Sequence, residues 1–313
     1  NDTLYGDGPS KSLDSGNDRL FGGDGDDFFR GGMGKDFFDG GDGFDRISFF
    51  HLNATSAVIV DLKTNTVYDD GYGNTETFRS IEGLGQGTIF ADQFYGDEGK
   101  NMILGDTGDT IVTRRGDDDI HLYGAPELIN GGAGIDSIVN FASITWVADV
   151  AGDGFADQVS TTTGVHVNLE TGKILDDGFG NSGKLVSIEN VGGSLYADKL
   201  IGSSGDNVLT GLTGADTLLG GLGNDTYVYV NAEDSLVGRA GRDIVKGFEL
   251  GSDHFDFTGL ADEVAGGGAL SFAGAFTGVA GQVTVTDLGS GRALIDADLD
   301  GDTFSDMQIL LAQ

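Results

Sequence analysis

Aspartate and glycine recur at fixed places along this chain, and their spacing limits the chemistry they can do. From Gly22 the sequence reads GGDGDDFFR, from Gly31 GGMGKDFFD and from Gly40 GGDGFDRIS, a period of nine with Gly, Asp and a large apolar residue in register. The sixth places hold Asp27, Asp36 and Asp45, and looser copies put Asp18, Asp92, Asp118, Asp136, Asp198, Asp216 and Asp225 at the same place. Glycine reaches turn conformations closed to other residues and leaves carbonyl oxygens uncovered. The carboxylate adds a hard anionic oxygen. Calcium takes six to eight such oxygens at about 2.3–2.6 Å, more than one turn supplies, so neighbouring turns must share each ion. The glycines of these candidate ligand turns are Gly23, Gly25, Gly32, Gly34, Gly41, Gly43, Gly132, Gly134, Gly214, Gly221 and Gly223. Solvated surface acids would have no reason to keep phase with glycine and an apolar residue. At Asn101, Thr110 and Asn207 this frame lacks the acid, which predicts weak ions or none there. The middle block should therefore hold fewer ions than the first, all the more because Arg114-Arg115 stands where a glycine pair belongs.

A second acidic pattern lies near the carboxy terminus, where Asp296, Asp298, Asp300, Gly301 and Asp302 spell D-x-D-x-D-G. This is the opening of an EF-hand loop; its twelfth place is Met307 instead of the bidentate Glu, with Asp306 one residue earlier. These five aspartates join the candidate metal ligands, with an acidic hairpin as the alternative. Catalytic patterns are thin. His51, His121, His166 and His254 are scattered, H-E-x-x-H, G-x-S-x-G and phosphate loops are missing, and aspartate is too abundant to single out an acid pair. The expectation is a protein that is not an enzyme. With no cysteine there are neither disulfides nor thiolate metal sites.

Composition narrows the class further. Against 51 Asp+Glu stand 17 Lys+Arg, a net charge of −34, so the chain cannot offer the basic stripe that binds nucleic acid. Glycine, at 56 residues against 2 prolines, fits neither collagen nor a proline-rich linker. Hydrophobic residues still make up 38 %, enough for a core, so high charge means folding that needs help, not permanent disorder. No apolar run approaches the ~18 residues of a membrane span, and no basic-then-apolar leader is visible.

The ligand turns need elements to hold them. Within each nine-residue unit about six residues make the turn and three a short strand, whose eighth place should point into a thin core. Those places hold Leu20, Phe29, Phe38, Ile47, Ile103, Val112, Ile138, Leu209, Leu218 and Tyr227. A longer duplication overlies the short one: VIVDLKTNTVYDDGYGN ending at Asn74 returns as VHVNLETGKILDDGFGN ending at Asn181, 107 residues later, and both copies run on into Ser-Ile-Glu. Their period-two alternation predicts strands. The second copy carries an extra stretch around Thr145 to Thr163 with the single Trp and Asp149, Asp153 and Asp157. The expected organisation is a repeat block over 1–48, a strand cassette over 49–91, a second block over 92–139, a second cassette with insertion over 140–197, a third block over 198–230 and a β-rich cap region over 231–313.

The G-G-x-G-x-D-x-U-x unit resembles that of the repeats-in-toxin (RTX) family, over roughly two thirds of the chain with the cassettes included. The rest resembles the carboxy-terminal region of serralysin-type metalloproteases in Gly241-Arg242-Asp243-Ile244-Val245, Phe248, Gly251, Asp253, Asp256-Phe257, Asp300-Gly301-Asp302, Asp306 and Ile309. The resemblance implies an all-β fold, a parallel β-roll or β-solenoid with several Ca2+ ions. It also implies folding on calcium after export by the type I secretion machinery, to the outside or surface of a Gram-negative bacterium. On that footing the chain is a calcium-dependent structural or binding module, with cell-surface polysaccharide or further copies in a surface layer, as in an adhesin, for partners. The other reading is the accessory region of a polysaccharide-modifying enzyme or metalloprotease whose catalytic domain lies outside this chain. The zinc-protease domain is not in this sequence, so protease activity does not carry over. The chain opens at the fifth place of a repeat and closes at Leu311-Ala312-Gln313 without the family's apolar-acidic tail, as expected of a piece of something larger.

Overall fold

A strand of three residues does not persist alone, so each repeat strand must find neighbours in other repeats. In the computed structural model, which describes residues 1–6, 16–50, 54–142, 144–147 and 157–313, it pairs in parallel with the strand two repeats away. Phe29 of Phe28–Arg30 thus lies opposite Ile47, 18 residues on, while Leu20 of Arg19–Asp24 lies opposite Phe38. Consecutive repeats therefore feed two different sheets. Phe29 and Phe38 meet edge to face at 6.1 Å between them. The described residues form no α-helix, only the 3-10 turns Ala232–Asp234 and Thr258–Asp262, so the all-β reading with parallel strands holds. Among the described residues no helix is long and apolar enough to cross a membrane.

The chain divides into two compact units, Asn1–Ser160 with Asn181–Ile188, and Thr161–Gly180 with Glu189–Gln313. In the first, one register row runs Leu4, Phe29, Ile47, Leu84, Ile103, Ile120, Ile138. The other sheet carries the rows Leu20, Phe38, Phe78 and Val60, Phe94, Ile111, Ile129, Leu185. In the second unit the rows are Val191, Leu209, Tyr227, Phe255 and Val167, Leu200, Leu218, Val245, Leu311. Most of these side chains are fully buried, which fixes register, because a slip of one residue would turn each row outward. Leu20, expected inside, is only half-buried, and Val112 gives its inward place to Ile111.

The first cassette folds as a meander. Val58–Asp61 runs antiparallel to Thr66–Asp70, which pairs in turn with Glu76–Arg79. Its last strand joins the repeats before it through Phe78 and Phe38, its first the repeats after it through Val60 and Phe94. Of the extra stretch in the second cassette, Ile144–Val147 and Asp157–Ser160 pair antiparallel; Asp149 and Asp153 lie outside the described residues. In the carboxy-terminal region Gln282–Gly289, Arg292–Asp298 and Met307–Ala312 form an antiparallel meander whose last strand also pairs in parallel with Asp243–Lys246.

Candidate calcium-binding turns

Stacked strands carry stacked turns, and the sixth-place side chains form a ladder along them. The Asp27 amide donates to Asp45 Oδ1 at 2.8 Å, Asp18 to Asp36 at 2.8 Å, Asp118 to Asp136 at 3.1 Å and Asp198 to Asp216 at 2.8 Å. One oxygen of each acid thus fixes the neighbouring turn. The second oxygen divides the turns into two kinds.

In the first kind the residue at the second place is left-handed: Gly23 (φ 100°), Gly41 (105°), Arg114 (77°), Leu212 (63°) and Gly221 (115°). The matching Oδ2 atoms, on Asp27, Asp45, Asp118, Asp216 and Asp225, are buried and accept no hydrogen bond. Gly32 and Gly132, in the turns of Asp36 and Asp136, share the left-handed conformation. A Cβ on Gly22 would run into both Asp27 Oδ2 and the carbonyl oxygen of Gly40, and one on Gly131 into both Asp136 Oδ2 and the carbonyl oxygen of Ser187, so carbonyl oxygens of successive turns crowd close to the acids. A buried carboxylate oxygen without a partner is costly, and the nearest cation to these acids is the amino-terminal ammonium, 3.8 Å from Asp27 Oδ1 and not from its bare Oδ2. The lysine and arginine side chains in ion pairs go elsewhere, Lys63 and Arg115 to Glu98, Arg79 to Asp39, Lys100 to Asp119 and Arg114 to Asp61. Burial raises the Asp45 carboxyl above its usual range and pushes Asp225 up to about 6. Orphaned oxygens, crowded carbonyls and uncompensated negative charge make a donor set suited to calcium.

Turns of the second kind close on themselves. The Thr88 amide donates to Asp92 Oδ2 at 2.6 Å and its hydroxyl to Oδ1 at 2.8 Å. Ser194 treats Asp198 the same way, at 2.6 and 2.8 Å. Asp97 donates its amide to Asn101 Oδ1 at 2.8 Å and Ser203 to Asn207 Oδ1 at 2.6 Å. Asp92 and Asp198, expected as metal ligands, thus have both oxygens engaged. Asn101 and Asn207 keep the sixth place as amides.

Thr110 requires a correction. The turn after Gly105 is one residue short, so Asp109 takes the ladder place: the Asp92 amide donates to its Oδ1 at 2.9 Å across 17 residues, and the Asp106 amide to its Oδ2 at 2.7 Å. The acid is present after all, one place early. Core packing decides this, since the slip brings Ile111 opposite Phe94. Arg114 does not aim its charge at the neighbouring acid; its guanidinium is bound to Asp61 at 2.7 and 2.8 Å. The ladder also contains acids that the nine-residue phase misses. Asp243 and Asp253 accept the amides of Asp216 and Asp225 at 2.8 and 3.2 Å, and each precedes a D-x-apolar tail, Asp243-Ile244-Val245 and Asp253-His254-Phe255, that could have revealed it. Glu76 accepts the Asp36 amide at 3.2 Å from inside the cassette, where no local signal marks it.

The carboxy-terminal loop brings together Asp298, Asp300 and Asp306, whose ligand atoms lie within 4.8 Å of one another. It does not add Asp296, which takes Ser305 and Gln308 at 2.8 and 2.7 Å, or Asp302, which takes the Phe304 amide at 2.8 Å. Asp298 itself accepts the Gly301 and Thr303 amides at 2.7 and 3.0 Å. Of the histidines, His121, His166 and His254 sit on strands, and His51 lies outside the described residues.

Residues 13–47, 86–112 and 192–227 match the family described as the RTX calcium-binding nonapeptide repeat (4 copies). No curated protein matches the chain. The match falls on both kinds of turn and stops before the carboxy-terminal region. Phased turns, an acid ladder and parallel strands two repeats apart together make this a chain that carries RTX calcium-binding nonapeptide repeats.

Proposed function

We propose that this chain is a calcium-loaded structural module of a secreted protein, folded by the ions it binds, and that the ions lie in the turns with a left-handed second residue. One observation carries the reading: Asp27, Asp45, Asp118, Asp216 and Asp225 each bury a carboxylate oxygen that accepts no hydrogen bond. Asp92, Asp109 and Asp198, whose oxygens are engaged, hold their turns without metal. At a Kd of about 10⁻⁴ M and tenfold higher free calcium, each site adds roughly 1.4 kcal/mol, and a handful matches the ~5–15 kcal/mol stability of a domain. The same arithmetic fits export by a type I route. Cytosolic calcium is too low to stabilise the turns, whereas calcium outside the cell folds them and disfavours return. A circular-dichroism titration tests the core of this reading. Strand signal should appear cooperatively with calcium, and a fully folded spectrum in chelator would overturn it.

A further inference from the structure

The duplicated Ser-Ile-Glu after each cassette has no part in the nonapeptide pattern, yet it occupies the place of a turn. Ser80 is left-handed, φ 51°, and its carbonyl oxygen lies where a Cβ on Gly40 would be. The Gly40 carbonyl stands in the same relation to Gly22. Ile81 is buried and anchors the tripeptide. Glu82 then takes the ladder position: the Asp45 amide donates to Glu82 Oε2 at 2.9 Å, as the Asp27 amide does to Asp45 at 2.8 Å. Three residues thus do what six do in a repeat, and the longer glutamate side chain makes up the reach. The second copy sets Ser187 at φ 50° with its carbonyl oxygen against Gly131.

Asp45 gives an independent sign of a ligand. Its residue is fully buried and its Oδ2 accepts no hydrogen bond. Beyond Glu82 the ladder changes character, because Asn101 donates Nδ2 to the Glu82 carbonyl at 3.3 Å and closes its own turn. A carboxylate could not make that donation. The geometry points to a calcium site outside the nonapeptides, between the 40–45 turn and Ser80-Ile81-Glu82, with Asp45, the Ser80 carbonyl and Glu82 as ligands. Glu82 ends one run of sites, and Asn101 begins a metal-free turn. This inference rests on the reading that left-handed turns hold calcium.

The test is a count of bound calcium by equilibrium dialysis against millimolar Ca2+ and atomic emission on the full chain, for wild type, Glu82→Gln and the exposed control Glu98→Gln. Glu82→Gln should carry one ion fewer with an unchanged calcium-loaded circular-dichroism spectrum, and Glu98→Gln the wild-type number. An unchanged count in Glu82→Gln overturns the site alone, whereas a wild type without calcium overturns the parent reading. Should Glu82→Gln not fold, wild-type crystals grown with Ca2+ decide by anomalous scattering. An ion within about 2.6 Å of the Glu82 carboxylate supports the site, and ions in the other turns with none at Glu82 overturn it.

Discussion

In the 22–27 turn the second residue is Gly23 at φ 100°, and Asp27 keeps a bare oxygen; in the 87–92 turn it is Thr88, and Asp92 keeps none. Ser, Thr or Asp at that place draws its own amide, and often its hydroxyl, onto the acid, the local bonding these residues offer the backbone. Gly avoids it because the left-handed conformation costs it nothing, while Arg114 and Leu212 accept about 1–2 kcal/mol of strain to do the same. Asp27→Asn should therefore lose bound calcium and midpoint stability in calcium, whereas Asp92→Asn should keep its calcium count. Equal losses would show that the second residue does not sort the turns. Asp109 supplies a pH dependence free of metal. Burial first, then the charge of Asp92, pushes its carboxyl up to about 9 from an ordinary 3.8. A carboxyl whose folded pKa is raised stabilises the fold fully below its unfolded pKa, and that contribution is lost as pH climbs through the folded value. Stability of wild type relative to Asp109→Asn should fall steadily from pH ~5 to ~9 in urea titrations. A constant difference would mean that Asp109 does not hold a proton in the fold.

At the scale of elements, the alternation of turn and strand could be read directly, because glycine, aspartate and an inward apolar residue each mark one place in nine. What escaped depended on partners far along the chain. Nothing near Gly105 shows that its turn is a residue short; only Ile111 falling opposite Phe94 does. Glu82 reads as an ordinary surface acid until the amide of Asp45, 37 residues away, is found on it. The nine-residue phase decays after Tyr227, yet the coils go on, with Phe255 opposite Tyr227 and Val245 opposite Leu218. That continuation makes 231–313 more than an appendage: it covers the edges of Thr217–Leu219 and Thr226–Val228 and supplies Asp243 and Asp253 to the ladder. A chain ending at Val230 should bind calcium more weakly and lose cooperative folding, since open edges and a buried Tyr227 would face water. Unchanged affinity and a sharp transition in that truncation would show that the repeats bind and fold without the carboxy-terminal region.

For the molecule as a whole the governing quantity is a net charge of −34 on 313 residues, with a ladder of acids facing one another inside the turns. Two effects could make such a chain compact: general screening of the repulsion, or ions bound where the carboxylates meet. They differ in their response to salt. Screening depends on ionic strength alone and shortens the Debye length to about 3 Å at ~1 M monovalent salt. It supplies no ligand to a buried Oδ2, so the desolvated oxygens of Asp27, Asp45, Asp216 and Asp225 would remain uncompensated. Calcium at millimolar concentration barely alters the Debye length but satisfies those oxygens. Small-angle scattering should accordingly find the chain in chelator expanded toward the ~60 Å radius of gyration of an unfolded chain this long, and still expanded in ~1 M sodium chloride. Millimolar calcium, at far lower ionic strength, should contract it well below that value. If sodium chloride and chelator together gave the calcium-loaded curve, repulsion alone would account for the unfolding, and the bare oxygens of the left-handed turns would have to be satisfied by something other than calcium.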